Sequence, residues 1–520
     1  MKNIFLSQFD FDNQIFTDST NVNKNLDNDI FIVLYGNIDN LNYLCKKHQI
    51  SQNNITKDIL LEIYKKFNTK IFNLIEGEWT LFIYDSTKKK FYLGRNHIGI
   101  YSTYYVYSKG KIIFSNSIQL INNKIKKKKI NTKTVHTFLY GGKNNNSTYY
   151  EDIYKLPFGV YYEGNNRNLI KKRYWFPENN KNIFYKNEYD YVEHLHEILK
   201  KDITKKTYNK VVGSSLSAGL DSTMIFNELL DLNKEKVFAF TQNPNGGSTK
   251  QNWVLNEYPL VKKWLSNKSK AKLIEVKGSY SILEANDLIH KISHQPIWSS
   301  ANIVYVLDYY KLTKNNKVDI LYSGFGGNFT TSWCSDGTYL NFQDNFIKYL
   351  FFNNFSLYNI VSQIKNKSFK NISFVKSVKD LKRQFLRIGI DDFGFYGNLA
   401  RYYNIDFSIP LISKEVVDFC LSIPENIYKP KIESRILAKN YISRYTDFNY
   451  NNMRGMQVPD ILARFNAEKE SILKINARIN EVDYLKKMQK EHHLFLKKEN
   501  IWSDLRNFNL FWFLFKNFYL

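Results

Sequence analysis

The sequence predicts two differently built regions: a strand-rich α+β region over residues 1–176 and, after a linker at 177–187, an α/β region with a parallel sheet over 188–520. Three observations predict this division. Apolar runs separated by turn residues, as around Ser86–Lys90, are typical of antiparallel hairpins. From Val211 onward strand-like and helix-like segments alternate, which is typical of a parallel sheet covered by helices. The linker between them is polar and turn-rich, and from about Leu340 the pattern is mostly helical.

Length, composition and cysteine usage limit the functions that this chain can have. Its 520 residues suffice for two or more domains, and 43% hydrophobic with 16% aromatic residues fits a globular protein. The spacings of Cys45, Cys334 and Cys420 suggest neither a disulfide framework nor a zinc site. No apolar run is long enough to span a membrane, and the N-terminus lacks the apolar core of a signal peptide. We therefore expect a reducing, cytoplasmic compartment.

The net charge of +25 raises the question of a nucleic-acid partner. Lys and Asn are abundant along the whole chain, however, and the one dense basic run, Lys124–Lys129, has the character of a solvated loop. We therefore interpret the charge as compositional and expect no nucleic-acid partner.

Apolar periodicity and turn residues define the elements of the first region. The predicted helices are Asn40–His48 and Ile59–Phe67, and the predicted strands are Phe31–Tyr35, Trp79–Asp85, Phe91–Gly94, Tyr104–Tyr107 and Lys111–Phe114. The last four strands are expected to form two hairpins.

The second region is organised around Val211–Leu229. A short strand, Val211-Val212, leads through Gly213–Gly219 into a segment whose apolar residues have helical spacing. Small residues let backbone N–H groups approach phosphate, and a helix N-terminus adds partial positive charge, so this stretch predicts an anion site. Asp221, at the start of the helix, would repel phosphate unless a cation bridges the two, which points to Mg²⁺.

The loop at residues 217–222, with the sequence SAGLDS, resembles the SGGxDS pyrophosphate loop of ATP pyrophosphatases, in particular the asparagine synthetase branch. The resemblance implies that ATP is cleaved between its α- and β-phosphates and that a carboxyl group is adenylated. It also implies that Ser217, Gly219 and Ser222 hold phosphate and that Asp221 holds Mg-pyrophosphate. Ala218 replaces a Gly, a mild change if its φ is negative. The alternative is a Ser/Gly turn that caps an ordinary helix.

A second loop follows the predicted strand Val318–Tyr322. Residues 323–328 resemble the family's SGxGGD, in which the backbone, here at Ser323 and Gly324, approaches the nucleotide and the last residue contacts Mg²⁺. Asn328 replaces that Asp and offers a weaker, neutral oxygen ligand. Phe240 occupies the family position beside the adenine. Because both loops follow parallel strands, we expect them at the C-terminal edge of one sheet.

The remaining elements follow the same alternation of strands and helices. They are predicted at Glu188–Lys201, Val237–Phe240, Leu255–Leu265, Leu273–Val276, Ser281–Ile292, Ala301–Leu312, Phe346–Phe352, Leu357–Ile364, Val378–Ile388 and Lys414–Ser422. We interpret Glu257 as a solvated helix charge and His194 and His196 as surface residues.

Two later positions carry predicted chemistry. Asp406 falls on the Glu of the family's GxExRxPFLD stretch, which handles protons near the attacking nitrogen, although Ser408 and Ser413 replace its Arg and final Asp. Arg454 lies in a stretch that resembles the late family loop, where a Lys or Arg stabilises the anionic transition state over the phosphates. The alternatives are an Asp406 that satisfies buried backbone groups and an Arg454 that is merely solvated.

The first region resembles the glutaminase domain of the same family, which implies an Ntn-hydrolase-like fold of stacked antiparallel sheets. Gly77–Trp79 and Asp85 match its GxFAxxxxD hairpin, and Arg95–Gly99 matches its RDxxG turn. A working glutaminase uses an N-terminal Cys as nucleophile. Because the chain begins with Met1 and its first cysteine, Cys45, falls in a predicted helix, we expect that glutamine hydrolysis has been lost.

The RGxQxxD form of the Arg454 stretch is similar to that of lasso-peptide macrolactam synthetases. This resemblance implies an AMP-forming ligase that uses ATP and Mg²⁺ to close a ribosomal peptide, with a leader peptidase and a peptide-recognition protein as partners. One alternative is an ammonia-using asparagine synthetase-like amidotransferase acting on a small carboxylate. Two others are a degenerate nucleotide-binding paralogue, suggested by Asn328, Ser408 and Ser413, and an RNA-modifying pyrophosphatase, which fits poorly.

Overall fold

A computed structural model provides the structure of the chain. It describes residues 4–18, 24–27, 29–51, 56–126, 128–139, 146–177, 181–232, 234–244, 249–250, 253–254, 256–297, 300–332, 394–424, 427, 435–449, 454–455, 458–491 and 501–520. The chain divides into two compact units. The first comprises residues 1–131, 145–178 and 387–398, and the second comprises 132–144, 179–386 and 399–520.

The first unit contains two antiparallel sheets. Its strands are β1 (Leu6–Asp10), β2 (Ile15–Asp18), β3 (Lys24–Asp27), β4 (Ile30–Ile38), β5 (Gly77–Asp85), β6 (Lys90–Arg95), β7 (Tyr104–Ser108), β8 (Lys111–Ser115), β9 (Tyr154–Lys155), β10 (Val160–Gly164) and β11 (Leu169–Arg173). One sheet has the order β2-β1-β8-β7-β9 and the other β11-β10-β6-β5-β4-β3. Both predicted hairpins are confirmed, since β5 pairs with β6 and β7 with β8.

The two sheets share one apolar core. Helices α1 (Leu41–His48), α2 (Thr56–Phe67) and α3 (Ile71–Leu74) pack on the outer face of the second sheet, and α4 (Ile118–Ile125) contacts β7 and β8 of the first. Alternate residues of β4 face opposite sides: Phe31 and Val33 lie in the core shared with β1, whereas Ile32 packs with α2. This two-sided burial explains why the strand has a continuous apolar run.

The second unit is built on a parallel sheet. Its strands are β12 (Val212–Ser215), β13 (Val237–Gln242), β14 (Thr249–Lys250), β15 (Trp253–Val254), β16 (Ala271–Val276), β17 (Ile320–Ser323), β18 (Asp406–Ser408) and β19 (Arg454–Gly455). The parallel sheet has the order β16-β13-β12-β17-β18, and β14, β15 and β19 form a small separate sheet. Along the sequence, strands are added from β12 outward to β13 and β16 on one side and then to β17 and β18 on the other. The order of the strands therefore switches direction between β12 and β17. In open α/β sheets, ligands bind at the carboxyl ends of the strands at such a point.

The second unit also contains helices, several of which pack on its parallel sheet. They are α5 (Thr132–Leu139), α6 (Glu188–Thr207), α7 (Leu220–Leu230), α8 (Tyr258–Leu265), α9 (Ile282–Ser293), α10 (Ile303–Asn315), α11 (Lys414–Ser422), α12 (Ile436–Tyr445), α13 (Ile461–Ile479), α14 (Asp483–Glu491) and α15 (Ile501–Phe518). A further helix spans 394–402, of which 394–398 belong to the first unit. The prediction of Lys414–Ser422 is confirmed to the residue. The helices predicted at Phe346–Phe352, Leu357–Ile364 and Val378–Ile388 lie outside the described residues.

The architecture confirms the coarse prediction of antiparallel sheets followed by a parallel one. Two packing details explain element boundaries. Ser281 caps α9: its side-chain oxygen accepts the N–H of Glu284, and the Glu284 carboxylate accepts the N–H of Ser281. This capping box explains why the helix starts where it was predicted. The aromatic α15 is held through Asn509, which lies 3.0 Å from His290 Nε2 of α9. Within the described ranges, no helix has the length and apolar character needed to cross a bilayer.

Candidate nucleotide-binding site

The loop after β12 is held in shape by its own serines. The Oγ atoms of Ser217 and Ser222 lie 2.8 Å apart, and the Ser222 hydroxyl also accepts the N–H of Ser217 at 3.1 Å. The N–H of Gly219 donates to Ser217 Oγ at 3.1 Å. At the base of the loop, the N–H of Leu216 donates to the carbonyl of Phe240 on the neighbouring strand β13. The loop is therefore a closed, preorganised turn between the central strand and α7.

The geometry of this turn leaves room for an anion. The first amides of α7 have no partners within the helix because of helix geometry, and they lie at its positive end. A Cβ built at Gly219, whose φ is −85°, would meet only Ser217 Oγ, at 3.1 Å. Ala218 is not among the residues with positive φ, so its replacement of Gly causes no backbone strain. The loop meets the steric requirements for phosphate approach.

The loop after β17 lies directly against Asp221. A Cβ at Gly324 would fall 2.6 Å from the Ser222 backbone nitrogen, and one at Gly327 would overlap the Asp221 carboxylate. Ser323 Oγ accepts a hydrogen bond from Ser215 at 3.2 Å, which ties the ends of β12 and β17 together. These contacts require glycine at both positions. The two loops that the sequence singled out therefore meet around one carboxylate.

Asp221 occupies an environment that is only partly satisfied. Ser332, which is fully buried, donates to its Oδ1. Burial raises the pKa of Asp221 to about 6, against the opposing effects of the Ser332 hydroxyl, the charge of Arg435 and the nearby Thr331. A carboxylate with a raised pKa is one whose negative charge is under-compensated. A bound cation would supply the missing compensation.

Arg435 is a site residue that the sequence reasoning missed. Its guanidinium Nη2 lies 3.5 Å from Asn328 Oδ1, and its charge acts on Asp221. Its backbone has φ +63°, a left-handed conformation that a non-glycine residue adopts only where the surroundings enforce it. One signal was available in the sequence: a basic residue immediately before an apolar helix opposes the helix dipole, which is unfavourable without a compensating role.

Glu257, which the sequence suggested to be solvated, is instead part of the loop's surroundings, and that interpretation was wrong. Burial raises the pKa of Glu257 to about 7, and a hydrogen bond from the Ala218 N–H opposes the rise. Glu257 directly precedes α8, whose Pro259 lies in the first turn. An acidic residue at a helix start looks like ordinary capping in a sequence, which is why its contact with Ala218 could not be predicted.

Two further predicted residues, Phe240 and Arg454, lie in strands of the second unit. Phe240 is fully buried in β13, where its ring packs beside Gly213, and it supports the first loop through its backbone carbonyl. Arg454 lies in β19, whose backbone pairs in parallel with β15 at Trp253. β15 follows β13 along the chain. The predicted roles of Phe240 beside adenine and of Arg454 over the phosphates remain predictions.

The structure does not bring Asp406 to the two loops, so the proton-handling role that the resemblance implies gains no support from its position and stays a prediction. It is the first residue of β18 and pairs with Ile320, the first residue of β17. The two loops leave the opposite, carboxyl ends of these parallel strands, roughly 10 Å away at about 3.3 Å per residue. Asp406 instead forms a half-exposed ion pair with Lys210, whose Nζ lies 2.7 Å from Oδ2. A motif match identifies a residue's position in the sequence, but it does not show at which end of a strand the residue lies.

The residues at the loops fit a site for Mg²⁺ bound together with phosphate. No cluster of three or more His, Cys, Asp or Glu side chains suited to a metal occurs in the part of the chain that the structure describes. Mg²⁺ does not require one, since nucleotide-bound Mg²⁺ is held by one or two carboxylates and the phosphates themselves. Asp221 would be that carboxylate, and Asn328, whose amide oxygen lies 3.5 Å from Arg435 Nη2, would be the weaker second ligand.

Comparison with protein families bears on the first unit. Residues 20–175 match the family model described as a glutamine amidotransferase domain. The match covers less than half of the chain and leaves the parallel-sheet region unassigned. Residues 20–175 are thus amidotransferase-like, as the hairpin and turn motifs had indicated. No curated protein matches the chain.

Among solved structures, 56 chains are similar. Glutamine phosphoribosylpyrophosphate amidotransferase from B. subtilis, complexed with ADP and GMP, has 10% identity over 41% of this chain and 54% of its own length, with a TM-score of 0.22. An allosteric regulatory enzyme of purine biosynthesis has 9% identity over 52% of this chain and 74% of its own, with a TM-score of 0.23. A U34-tRNA thiolase from Methanococcus maripaludis with a 4Fe–4S cluster has 12% identity over 60% and 83%, with a TM-score of 0.24. At these values the likenesses carry no argument about function.

Proposed function

We propose that this protein forms amide bonds at the expense of ATP through an acyl-adenylate, with AMP and pyrophosphate as products. The observation that best supports the proposal is the meeting of two glycine-containing loops around Asp221 at the carboxyl edge of a parallel sheet. Nucleotides bind at this position in open α/β folds. The loops' resemblance to the ATP pyrophosphatase signatures supplies the reaction class.

Each residue at the loops has a defined role in this proposal. The first amides of α7, together with Ser217, Gly219 and Ser222, bind the phosphates. Asp221 holds Mg²⁺, which when bound neutralises charge on the pyrophosphate leaving group. Arg435 adds a fixed positive charge beside Asp221 and, with Arg454 in its predicted role, stabilises the anionic transition state.

For the substrate we propose a ribosomal peptide whose own amine attacks its adenylated carboxyl group, as in macrolactam closure of a lasso-type peptide. The similarity of the Arg454 stretch to the RGxQxxD form supports this class. A leader peptidase and a peptide-recognition protein are the corresponding proposed partners.

A second candidate is an amidotransferase that transfers ammonia to a small carboxylate. The match of residues 20–175 to the glutamine amidotransferase domain favours it. Of the chain's cysteines, Cys45 and Cys420 are both buried, and burial raises the pKa of the Cys45 thiol, so neither is placed as a glutaminase nucleophile. In this candidate the ammonia is supplied free.

Isotope transfer tests the acyl-adenylate directly. The protein is incubated with ATP, Mg²⁺ and candidate carboxylates labelled with ¹⁸O, either linear peptides or small acids with ammonium, and the AMP is analysed by mass spectrometry. The proposal expects ¹⁸O in AMP together with equimolar pyrophosphate. Peptide-dependent label favours macrolactam closure, and label that requires ammonium favours the second candidate. Release of ADP and phosphate in place of AMP would contradict the proposed chemistry.

A further inference from the structure

A buried polar cluster joins the two helices that present Asp221 and Arg435. α7 carries Asp221 in its first turn and Glu228 seven residues later. α12 follows Arg435 directly and carries Tyr441 six residues after it. At about 1.5 Å per residue, both Glu228 and Tyr441 therefore lie roughly 10 Å along their helices from the nucleotide loops.

The cluster is centred on one carboxylate oxygen. Tyr441 donates its hydroxyl to Glu228 Oε1, and His196 of α6 places Nδ1 2.6 Å from the same atom. The His196 ring stacks on Tyr445 with 4.2 Å between ring centroids. Three helices of the second unit thus converge on Glu228, which is 2% exposed.

Burying the ionisable groups of this cluster reduces the stability of the fold. Burial raises the pKa of Glu228, and its Oε2 has no hydrogen-bond partner in the described part of the chain. The hydrogen bond to Glu228 raises the pKa of His196, and Lys200 and Asp231 are the other charges that act on the pair. The surroundings, which include Met224 and Leu437, are apolar.

A well-packed apolar residue would stabilise such a core as well as or better than a buried ion pair. A polar cluster instead fixes the relative position of the helices. Hydrogen bonds to a shared carboxylate are directional, whereas apolar contacts tolerate sliding and rotation. α7 and α12 pack in one core, and any slip between them would move Arg435 relative to Asp221.

We propose that His196, Glu228 and Tyr441 are positioning residues that fix the register of α7 against α12 and thereby hold Arg435 against Asp221 for nucleotide binding. The inference rests on the proposed function of that site. None of the three residues touches the loops, so each acts only through the helices that carry Asp221 and Arg435.

A double-mutant cycle on Mg-ATP affinity tests the proposal. Tyr441→Phe removes one hydroxyl, Arg435→Lys alters the guanidinium, and the double variant combines the two changes. The matched control is Tyr445→Phe, which removes a hydroxyl one turn further along α12. Calorimetry gives each dissociation constant, and thermal unfolding shows that each variant is folded. His196→Gln paired with Arg435→Lys provides a second cycle should Tyr441→Phe fail to fold.

If the cluster acts through Arg435, Tyr441→Phe weakens Mg-ATP binding about 5-fold or more in the native background and much less once Arg435 is altered, as coupled sites require. Tyr445→Phe leaves affinity within about 2-fold in both backgrounds. Additive effects in a protein that binds Mg-ATP would overturn the positioning role and leave the proposed function intact. A folded native protein that binds no Mg-ATP would overturn both.

Discussion

Asp85 in the first unit and Asp221 in the second are both carboxylates surrounded by protein, yet their environments are opposite. Asp85 receives the Tyr64 hydroxyl at 2.8 Å, the Thr87 hydroxyl at 2.7 Å, and both the N–H and the ammonium group of Lys88. Burial raises its pKa, but these donors outweigh burial and lower the pKa to about 2. Burial instead raises the pKa of Asp221 to about 6, since Ser332, Arg435 and Thr331 compensate it only in part.

The comparison separates a carboxylate that serves the fold from one that serves a site. Asp85 is complete without any ligand, because its four donors are all supplied by the chain. Asp221 lies where two loops meet and is under-compensated by its surroundings, which is the expected state of a group that completes its coordination with a bound cation. Four predictions, from the largest expected effect to the smallest, can break or sharpen this contrast.

The largest effect is expected at the second loop. Gly327→Ala would drive a Cβ into the Asp221 carboxylate and displace that group, so Mg-ATP binding should weaken about 5–150-fold, which is ~1–3 kcal/mol of binding free energy. Calorimetry measures the affinity. Gly219→Ala is the milder companion: its Cβ would meet only Ser217 Oγ, at 3.1 Å, so a small shift of that side chain should preserve folding while phosphate approach is impaired. A Gly219→Ala variant with native affinity would contradict phosphate binding at that loop.

Asp85→Asn should destabilise the first unit by about 1–2 kcal/mol at pH 7, because the donors of Tyr64, Thr87 and Lys88 lose a charged acceptor and keep only a neutral amide oxygen. Hydrogen exchange of the amides in β5 and β6 measures this locally. The same variant should bind Mg-ATP as the native protein does. Unchanged exchange in these strands would refute the structural role assigned to Asp85.

The stability that Asp85 contributes should also depend on pH. Its folded pKa lies below the ordinary value of 3.8, so its contribution is fully present above that value and is lost as the pH falls towards about 2. The difference in exchange between native protein and Asp85→Asn should therefore shrink across this window. A difference that stays constant down to pH 2 would show that the pKa of Asp85 is not lowered.

The smallest effect is expected at Asp406. Its ion pair with Lys210 is partly exposed, with 41% of the Asp406 side chain accessible, so Asp406→Asn should change stability by no more than about 1 kcal/mol. Because Asp406 lies at the far edge of the sheet, turnover and Mg-ATP affinity should remain native. A large loss of pyrophosphate release in Asp406→Asn would restore the role that the motif had suggested.

The features that could be predicted from the sequence are those that depend on local residue patterns. Hairpins, the alternation after Val211 and the two loops at strand ends follow from periodicity and turn residues, and Gly324 and Gly327 prove indispensable because the loops touch. What it could not predict depends on tertiary placement. Asp406 lies at the edge of the sheet opposite the two loops, which a motif match could not show because parallel register is not encoded locally. Arg435 is more than 200 residues from Asp221 in the chain, so only folding brings the two together.

The central claim is that Asp221 anchors a Mg-nucleotide site, and calorimetry of ATP binding with and without Mg²⁺ tests it without knowledge of the substrate. The account predicts Mg²⁺-dependent binding by native protein and a loss of about 100-fold or more in Asp221→Ala, since the single carboxylate holding the cation is removed. Asp85→Asn is the control that should bind normally. Equal binding by native protein and Asp221→Ala, or no binding by folded native protein, would contradict the account.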